Sequence, residues 1–336
     1  MMNEETSVGC EGLGRFAPSP TGDFHLGNLR TALLAWAFAR HSGRGFHMRM
    51  EDLDERSRPP FVDSQLRDLE ALGVDWDGPV VFQSQRLNRY AEIFDQMMKA
   101  GQLYECYCTR KELAAVASAP HRPPGSYPGT CRDLLPEQRQ AGREKLASLN
   151  RGPAFRLAAN DVEGDVVDRQ CGSYRGAIDD LVIRRGDGVY SYNFVSVVDD
   201  AEFGVTQIVR GDDLLPSTPR QVYLQHVLGY ATPEYAHVPL VLNSQGARLA
   251  KRDGAVTIAQ LAEFGWEVGD IISLLATSLK MRISSLGVSE IRSATEFLAA
   301  FDPAALPRSP WMVDVDSLTA GPTSFFASLR DIEPGR

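Results

Sequence analysis

Residues Arg15 to Arg30 read Arg-Phe-Ala-Pro-Ser-Pro-Thr-Gly-Asp-Phe-His-Leu-Gly-Asn-Leu-Arg, and they hold the densest chemistry of the chain. An apolar lead-in ends at Pro18 and Pro20, which cannot continue a strand ladder. Gly22 permits a sharp turn, and His25 and Gly27 stand where a long helical pattern begins. That layout predicts a histidine and free backbone N–H groups at a helix mouth, a place suited to an anion such as a phosphate. A basic cluster, Arg248-Leu249-Ala250-Lys251-Arg252, lies far down the chain and reads, taken alone, as a solvated loop. The thiols form a third group: Cys106-x-Cys108 and, four positions after Tyr127, Cys131. Three of the five cysteines fall within 26 positions and the total is odd, a pattern that suits a metal better than a disulfide framework. Zinc prefers four tetrahedral ligands, and on chemistry alone His121 is the obvious fourth. Finally, an arginine suits a substrate carboxylate and an acid suits an ammonium. Arg15 and Glu51, with Arg210 and Tyr192 from the second half, have those types, although a surface ion pair would use them equally well.

The elements that must position these residues begin with Leu13–Ala17, a short buried strand. Leu29–Arg40 reads as a helix with Leu29, Leu33, Trp36 and Ala37 on one face, stopped by Gly43 and Gly45. Gly45–Met50 reads as a second strand, followed by the acidic turn Glu51-Asp52-Leu53-Asp54-Glu55. Val62–Leu72 and Arg89–Ala100 read as helices. Strand, helix, strand, helix is the pattern of a parallel sheet, in which ligands sit beyond the carboxyl ends of the strands. Arg15-Phe16 and Glu51-Asp52 fall there. From Glu105 to about Asp179, cysteines, prolines and glycines indicate an insert with its own small core. Val189–Val198 reads as a buried β-rich run, Val205–Val209 as a strand and Pro219–Leu228 as a helix. Helical pattern dominates after Asp253, through Ile258–Leu261, Ile271–Leu279 and Thr295–Ala300.

The fold class expected is α/β: a Rossmann-type parallel-sheet nucleotide-binding domain with a zinc-binding insert and a C-terminal helical stem. Its halves would span 12–104 and 189–245, the insert 105–188, and the basic loop with the stem 246–320, leaving 1–11 and 321–336 as flexible ends. The 336 residues are 43% hydrophobic and 24% charged, ordinary for a soluble globular protein. A formal charge of −9 argues against a general nucleic-acid binder, though not against a local basic face. No run has the apolar length to span a bilayer, and the polar start has no secretory character, so a cytoplasmic location is expected.

The string from Arg15 to Asn28 resembles the ATP-binding "HIGH" region of class I aminoacyl-tRNA synthetases, closest to their glutamate-specific branch. Asn28 stands where the namesake motif has its second histidine. Arg248 to Arg252 resembles the Lys-Met-Ser-Lys-Ser loop, with Lys251 on the second lysine, Arg248 in place of the first and Ala250 in place of the serine. The likeness covers about residues 12 to 310. It implies that His25 and Lys251 are catalytic and that ATP meets His25, Gly27, Asn28, Arg248 and Lys251. Glutamate would be held by Arg15, Phe16, Ala17, Pro18, Ser19, Glu51, Tyr192 and Arg210. The set Cys106, Cys108, Tyr127 and Cys131 resembles the zinc ligands of short relatives, the glutamyl-queuosine tRNA(Asp) synthetases, though 18 residues between Cys108 and Tyr127 make a longer gap than is usual there.

The resemblance implies a monomer with one structural zinc. It implies L-glutamate activation by Mg²⁺-bound ATP without tRNA, then transfer to queuosine in the anticodon loop of tRNA(Asp), with no membrane partner. Only 84 residues follow Arg252, which suits a helical stem and no complete anticodon-reading domain. Two alternatives stay open. One is a short glutamyl-tRNA synthetase charging a tRNA 3′ end, which Asn193 favours. The other is a catalytically silent glutamate- or ATP-binding paralogue, which the altered 248–252 loop motivates.

Overall fold

The computed structural model describes residues 12–109, 111–113, 127–159, 162–249, 254, 256–282 and 289–330. Lys251, Ala250, Arg252, His121, residues 1–11 and residues 331–336 lie outside the described residues.

The short strand β1 (Leu13–Phe16) pairs in parallel with β2 (Gly45–Met50), and β2 with β3 (Val81–Phe82). On its other side β1 pairs in parallel with β9 (Val205–Gly211), and β9 with β10 (Glu234–Val238). The strand order therefore reverses between β1 and β9, the point at which open α/β sheets receive ligands. Every residue of β2 is buried, as expected of a parallel strand covered on both faces, yet two of them are His47 and Arg49.

Between β3 and β9 the chain forms β4 (Leu103–Cys106), β5 (Ala154–Leu157), β6 (Val162–Asp168), β7 (Gly172–Ile178) and β8 (Leu181–Arg184). Strands β4, β5 and β8 make a separate three-stranded antiparallel sheet. The antiparallel hairpin β6–β7 instead joins the main sheet, where Asp168 of β6 meets Tyr235 of β10, completing the order β3-β2-β1-β9-β10-β6-β7. Its place there was not legible in the sequence, because a hairpin carries no mark of which sheet edge it will cover.

The helix Leu26–His41 is buried nearly all round, beyond the single face expected, including Ala32, Leu34, Ala35, Phe38 and Ala39. It is clasped between the sheet and the C-terminal helices Val268–Ser278 and Ala294–Ala300; Phe38 meets Phe301 edge-on at 5.1 Å, and the wholly buried Arg30 reaches Ser278 at 3.1 Å. The strand beneath must stay small: a Cβ on Gly14 would come within 2.6 Å of the Ala39 Cβ.

Two segments differ from the sequence reading. The run 189–198 is not a strand: Tyr192–Glu202 is a helix capped by Ser191, whose Oγ accepts from the Phe194 N–H. A short run of buried Val and Phe has the same pattern in either state, and burial of the helix from Phe194 to Asp200 overrides the β preference of its valines. The sequence also assigned no element to 321–330, where a helix places Phe325 and Phe326 edge-on to Trp266 at 5.5 and 5.7 Å.

Candidate active site

A cleft of about 780 Å³ opens at the carboxyl ends of β1, β2 and β9, within the size range of small-ligand sites. The structure brings to it Arg15, Phe16, Ala17, Pro18, Ser19, His25, Gly27, Asn28, Glu51, Tyr192, Arg210 and Arg248. Of the residues singled out from the sequence for this site, Lys251 alone falls outside the described residues.

The loop after β1 is pinned from two sides. The Glu51 N–H donates to the Pro18 carbonyl at 2.9 Å. The buried Gln65 amide, from the helix Pro59–Leu72, donates to Ser19 at 3.2 Å and Gly22 at 2.7 Å. His25 then caps the next helix: its Nδ1 accepts from the Gly27 N–H at 3.0 Å, while Asn28 Oδ1 accepts from the His25 N–H at 3.2 Å. The Leu26 N–H donates to the Val256 carbonyl at 2.9 Å. The helix mouth thus offers fewer free N–H groups than expected, because its own cap and the Val256 carbonyl use them. What it presents instead is His25. Accepting at Nδ1 leaves the ring proton on Nε2, the donor that a phosphate oxygen needs. Gly27 makes room for that ring, since a Cβ there would lie 2.8 Å from His25 Cε1.

The floor of the cleft is ionic. Arg49 is wholly buried and donates to Asp200 Oδ1 at 2.7 Å and Glu51 Oε1 at 3.2 Å, with Asp199 Oδ2 at 3.6 Å. Asp199 also accepts from Arg86 at 2.7 Å, Gln83 at 2.9 Å and the Tyr90 hydroxyl at 2.8 Å. Arg15 lies 3.5 Å from Asp200 and donates to the Val209 carbonyl at 3.2 Å. Glu51 accepts from the Ser196 hydroxyl at 3.0 Å. Burial pushes the Glu51 carboxyl above its ordinary pKa, against the pull of Arg49 and Arg15. A bound ammonium would favour its ionised form.

On the opposite wall Arg210 is buried and donates to Thr218 Oγ1 at 2.8 Å, to His237 Nε2 at 3.0 Å and to the Tyr192 hydroxyl at 3.4 Å. Arg248, at the exposed rim, pairs with Asp213 at 2.7 Å. Sequence reasoning missed Arg49, Gln65, Thr218 and His237 altogether. Asp199 and Asp200, which it also passed over, hold Arg49 and Arg15.

A second cluster lies in the three-stranded region. The sulfur atoms of Cys106, Cys108 and Cys131 lie within 4.8 Å of one another, and Cys108 is 3.6 Å from Cys131. The Tyr127 hydroxyl lies 3.4 Å from Cys106 Sγ and 3.8 Å from Cys108 Sγ, and also accepts from the Cys131 N–H at 2.9 Å. Zinc–sulfur bonds of about 2.3 Å in a tetrahedron put sulfurs about 3.8 Å apart. The three thiols and the phenol are therefore close to the spacing that a tetrahedral cation needs. Asp179 ties this cluster to the main body, accepting from the Tyr127 N–H at 2.6 Å and pairing with Arg220 of the helix Thr218–Leu228.

Comparison with known proteins agrees with this architecture. The family model for tRNA synthetases class I (E and Q), catalytic domain, matches residues 13–320. A glutamyl-Q tRNA(Asp) synthetase of Nocardia farcinica is 55% identical over 91% of this chain and 94% of its own length. A glutamate–tRNA ligase of Nitrosomonas europaea is 40% identical over 91% of this chain and 65% of its own. The solved structure of a glutamate tRNA ligase from Elizabethkingia meningosepticum, in complex with its amino acid, superposes with a TM-score of 0.74 at 28% identity, covering 92% of this chain and 68% of that one. The chain belongs to the class I tRNA synthetases of the glutamate and glutamine branch, and it is an enzyme of that ligase family.

Proposed function

We propose that the chain activates L-glutamate with Mg²⁺-bound ATP, without needing tRNA, and transfers the glutamyl group to queuosine at the wobble position of tRNA(Asp). The observation that carries the first step is the convergence of two buried arginines, Arg15 and Arg210, with the buried Glu51 on the cleft that His25 caps. An amino acid with a second carboxylate fits that set of charges. Its ammonium would meet Glu51, its side chain Arg210 and Tyr192, and its α-carboxylate would face the nucleotide beside Arg15. The identity of the acceptor rests on the relatives, which at 43% and 55% identity carry the glutamyl-Q name.

In the first step an α-carboxylate oxygen attacks the α-phosphorus of ATP, and the bond to the β-phosphate oxygen breaks to release pyrophosphate. The protein supplies orientation and charge stabilisation more than proton transfer. His25 Nε2–H would donate to a phosphate oxygen and Lys251 would neutralise the leaving pyrophosphate. In the second step the modified base takes the glutamyl group and AMP leaves.

Zinc, where bound, would be held by Cys106, Cys108, Tyr127 and Cys131; a closed four-ligand site supplies structure, not catalysis. Elemental analysis is expected to find about one zinc per chain, and a strong chelator is expected to lower the melting temperature. A metal-free chain of unchanged activity and stability would contradict this. Gly27→Ala is expected to push the His25 ring aside and slow glutamate-dependent ATP–pyrophosphate exchange by roughly 10–100-fold, with the melting temperature nearly unchanged. Full exchange by that variant would show that the His25 position is not critical.

The deciding experiment supplies labelled glutamate to the full chain with tRNA(Asp) bearing or lacking queuosine, and with tRNA(Glu). Exchange without tRNA and labelling of the queuosine-bearing tRNA alone is expected. Labelling of tRNA(Glu) would support 3′-end charging, and absence of exchange would support a silent paralogue.

A further inference from the structure

Arg210 does not stand alone in its wall. Its register partner on β10 is His237, which is wholly buried. His237 Nδ1 lies 2.6 Å from Asp168 Oδ2, and Asp168 also accepts from the backbone N–H groups of His237, Gln170 and Cys171 at 3.1, 2.9 and 2.8 Å. A guanidinium has donors alone, so the Arg210 Nε–H requires a lone pair on His237 Nε2. The ring proton must then sit on Nδ1, where Asp168 receives it. Neither Asp168 nor His237 borders the cleft. Asp168 comes from the hairpin that adds the outer strands to the sheet, far in sequence from every motif described above.

We infer that Asp168 and His237 are positioning residues for substrate recognition. Asp168 locks His237 in its neutral, Nδ1-protonated form, and His237 with Thr218 holds the Nε and Nη2 side of Arg210, so that its Nη1 edge stays at Tyr192 and the cleft. This rests on the reading that Arg210 receives the side-chain carboxylate of glutamate. The surroundings suit a neutral ring: burial lowers the His237 pKa, Asp168 opposes that, and Arg210 and Arg15 reinforce it. Asp212, after β9, is a further acid facing the ring. The ring of Tyr235 stacks nearly parallel to His237, with centroids 5.9 Å apart, and fixes its plane. Acidification would place a proton on Nε2, removing the acceptor and setting a cation against Arg210.

The test is steady-state ATP–pyrophosphate exchange by the full chain, varying glutamate and ATP separately and across pH. His237→Ala is expected to raise the KM for glutamate at least about tenfold and to leave the KM for ATP within about twofold. His237→Gln, whose amide oxygen reaches roughly the Nε2 position, is expected to recover most of the loss. Asp168→Asn is expected to behave like the alanine variant, since its amide N–H would donate to Nδ1, shift the ring proton to Nε2 and turn a donor toward a donor. The wild type is expected to lose kcat/KM for glutamate as pH falls below the ordinary histidine range, and His237→Gln to lack that limb. Should His237→Ala fail to fold, the pH profiles of the wild type and His237→Gln decide alone. Equal rises in both KM values, unchanged glutamate KM in Asp168→Asn, or identical pH profiles would overturn the inference while leaving the functional reading standing. A wild-type chain that neither exchanges nor binds glutamate by calorimetry would overturn both.

Discussion

Arg49→Met is expected to lower stability by about 3–5 kcal/mol at neutral pH, the range for removing one partner from a buried ion network. Arg49 has no exposed surface and is shared among Asp200, Glu51 and Asp199, so methionine would fill its volume and leave those acids short of a cation. The pH dependence has a definite sign. In the native chain burial pushes the Asp200 carboxyl up, but Arg49 and then Arg15 outweigh it, leaving its pKa below the ordinary carboxylate value. A group depressed in this way contributes stability above its unfolded pKa and loses it as pH falls through the folded value. In Arg49→Met burial would prevail and the folded pKa would rise. Such a group is destabilising above its folded pKa and ceases to be so as pH drops below its unfolded one. Denaturant titrations at pH 7.5 and pH 5 are therefore expected to show the deficit of the variant shrinking on acidification. A deficit under about 1 kcal/mol, or one that grows at pH 5, would show that the network is not held by Arg49.

Arg210→Ala is expected to reduce kcat/KM for glutamate in ATP–pyrophosphate exchange by roughly 10²–10³-fold, with little change in the KM for ATP. Truncating one member of a desolvated charge pair costs about 2–5 kcal/mol, and each 1.4 kcal/mol is tenfold. Arg210 is 5% exposed, so the pair it would form with a substrate carboxylate is shielded from water. Selectivity is expected to fall with affinity, since glutamine differs from glutamate at the group Arg210 would hold. Unaltered glutamate kinetics in the variant would place the side-chain carboxylate elsewhere in the cleft.

Much of the architecture was legible from residue order. The strands Leu13–Phe16 and Gly45–Met50 and the helices flanking them follow from apolar runs broken by proline and glycine. The cleft residues from Arg15 to Asn28 were legible because a turn, a cap and a helix start sit in one continuous string. The segment Tyr192–Glu202 was not, because local pattern does not separate a buried helix from a buried strand. Arg49 was invisible for a related reason: a charged residue within an apolar strand reads as a solvent-facing position until Asp199 and Asp200, about 150 residues further along the chain, are placed against it.

The sequence by itself determined the alternation of strand and helix, the family likeness of the two ATP-facing strings and the three candidate thiol ligands, since each depends on residues close in the chain. The tertiary structure alone decided which charges meet. It set Arg15 and Arg210 on one cleft, buried Arg49 among three acids, filled the helix mouth with its own cap, and brought Asp168 of a distant hairpin behind His237. The physical reason is that a parallel sheet joins its strands through long crossovers, so its neighbours in space are far apart in sequence. The energy of a buried charge is then set by those neighbours and by the loss of water, neither of which is written in the local order of residues.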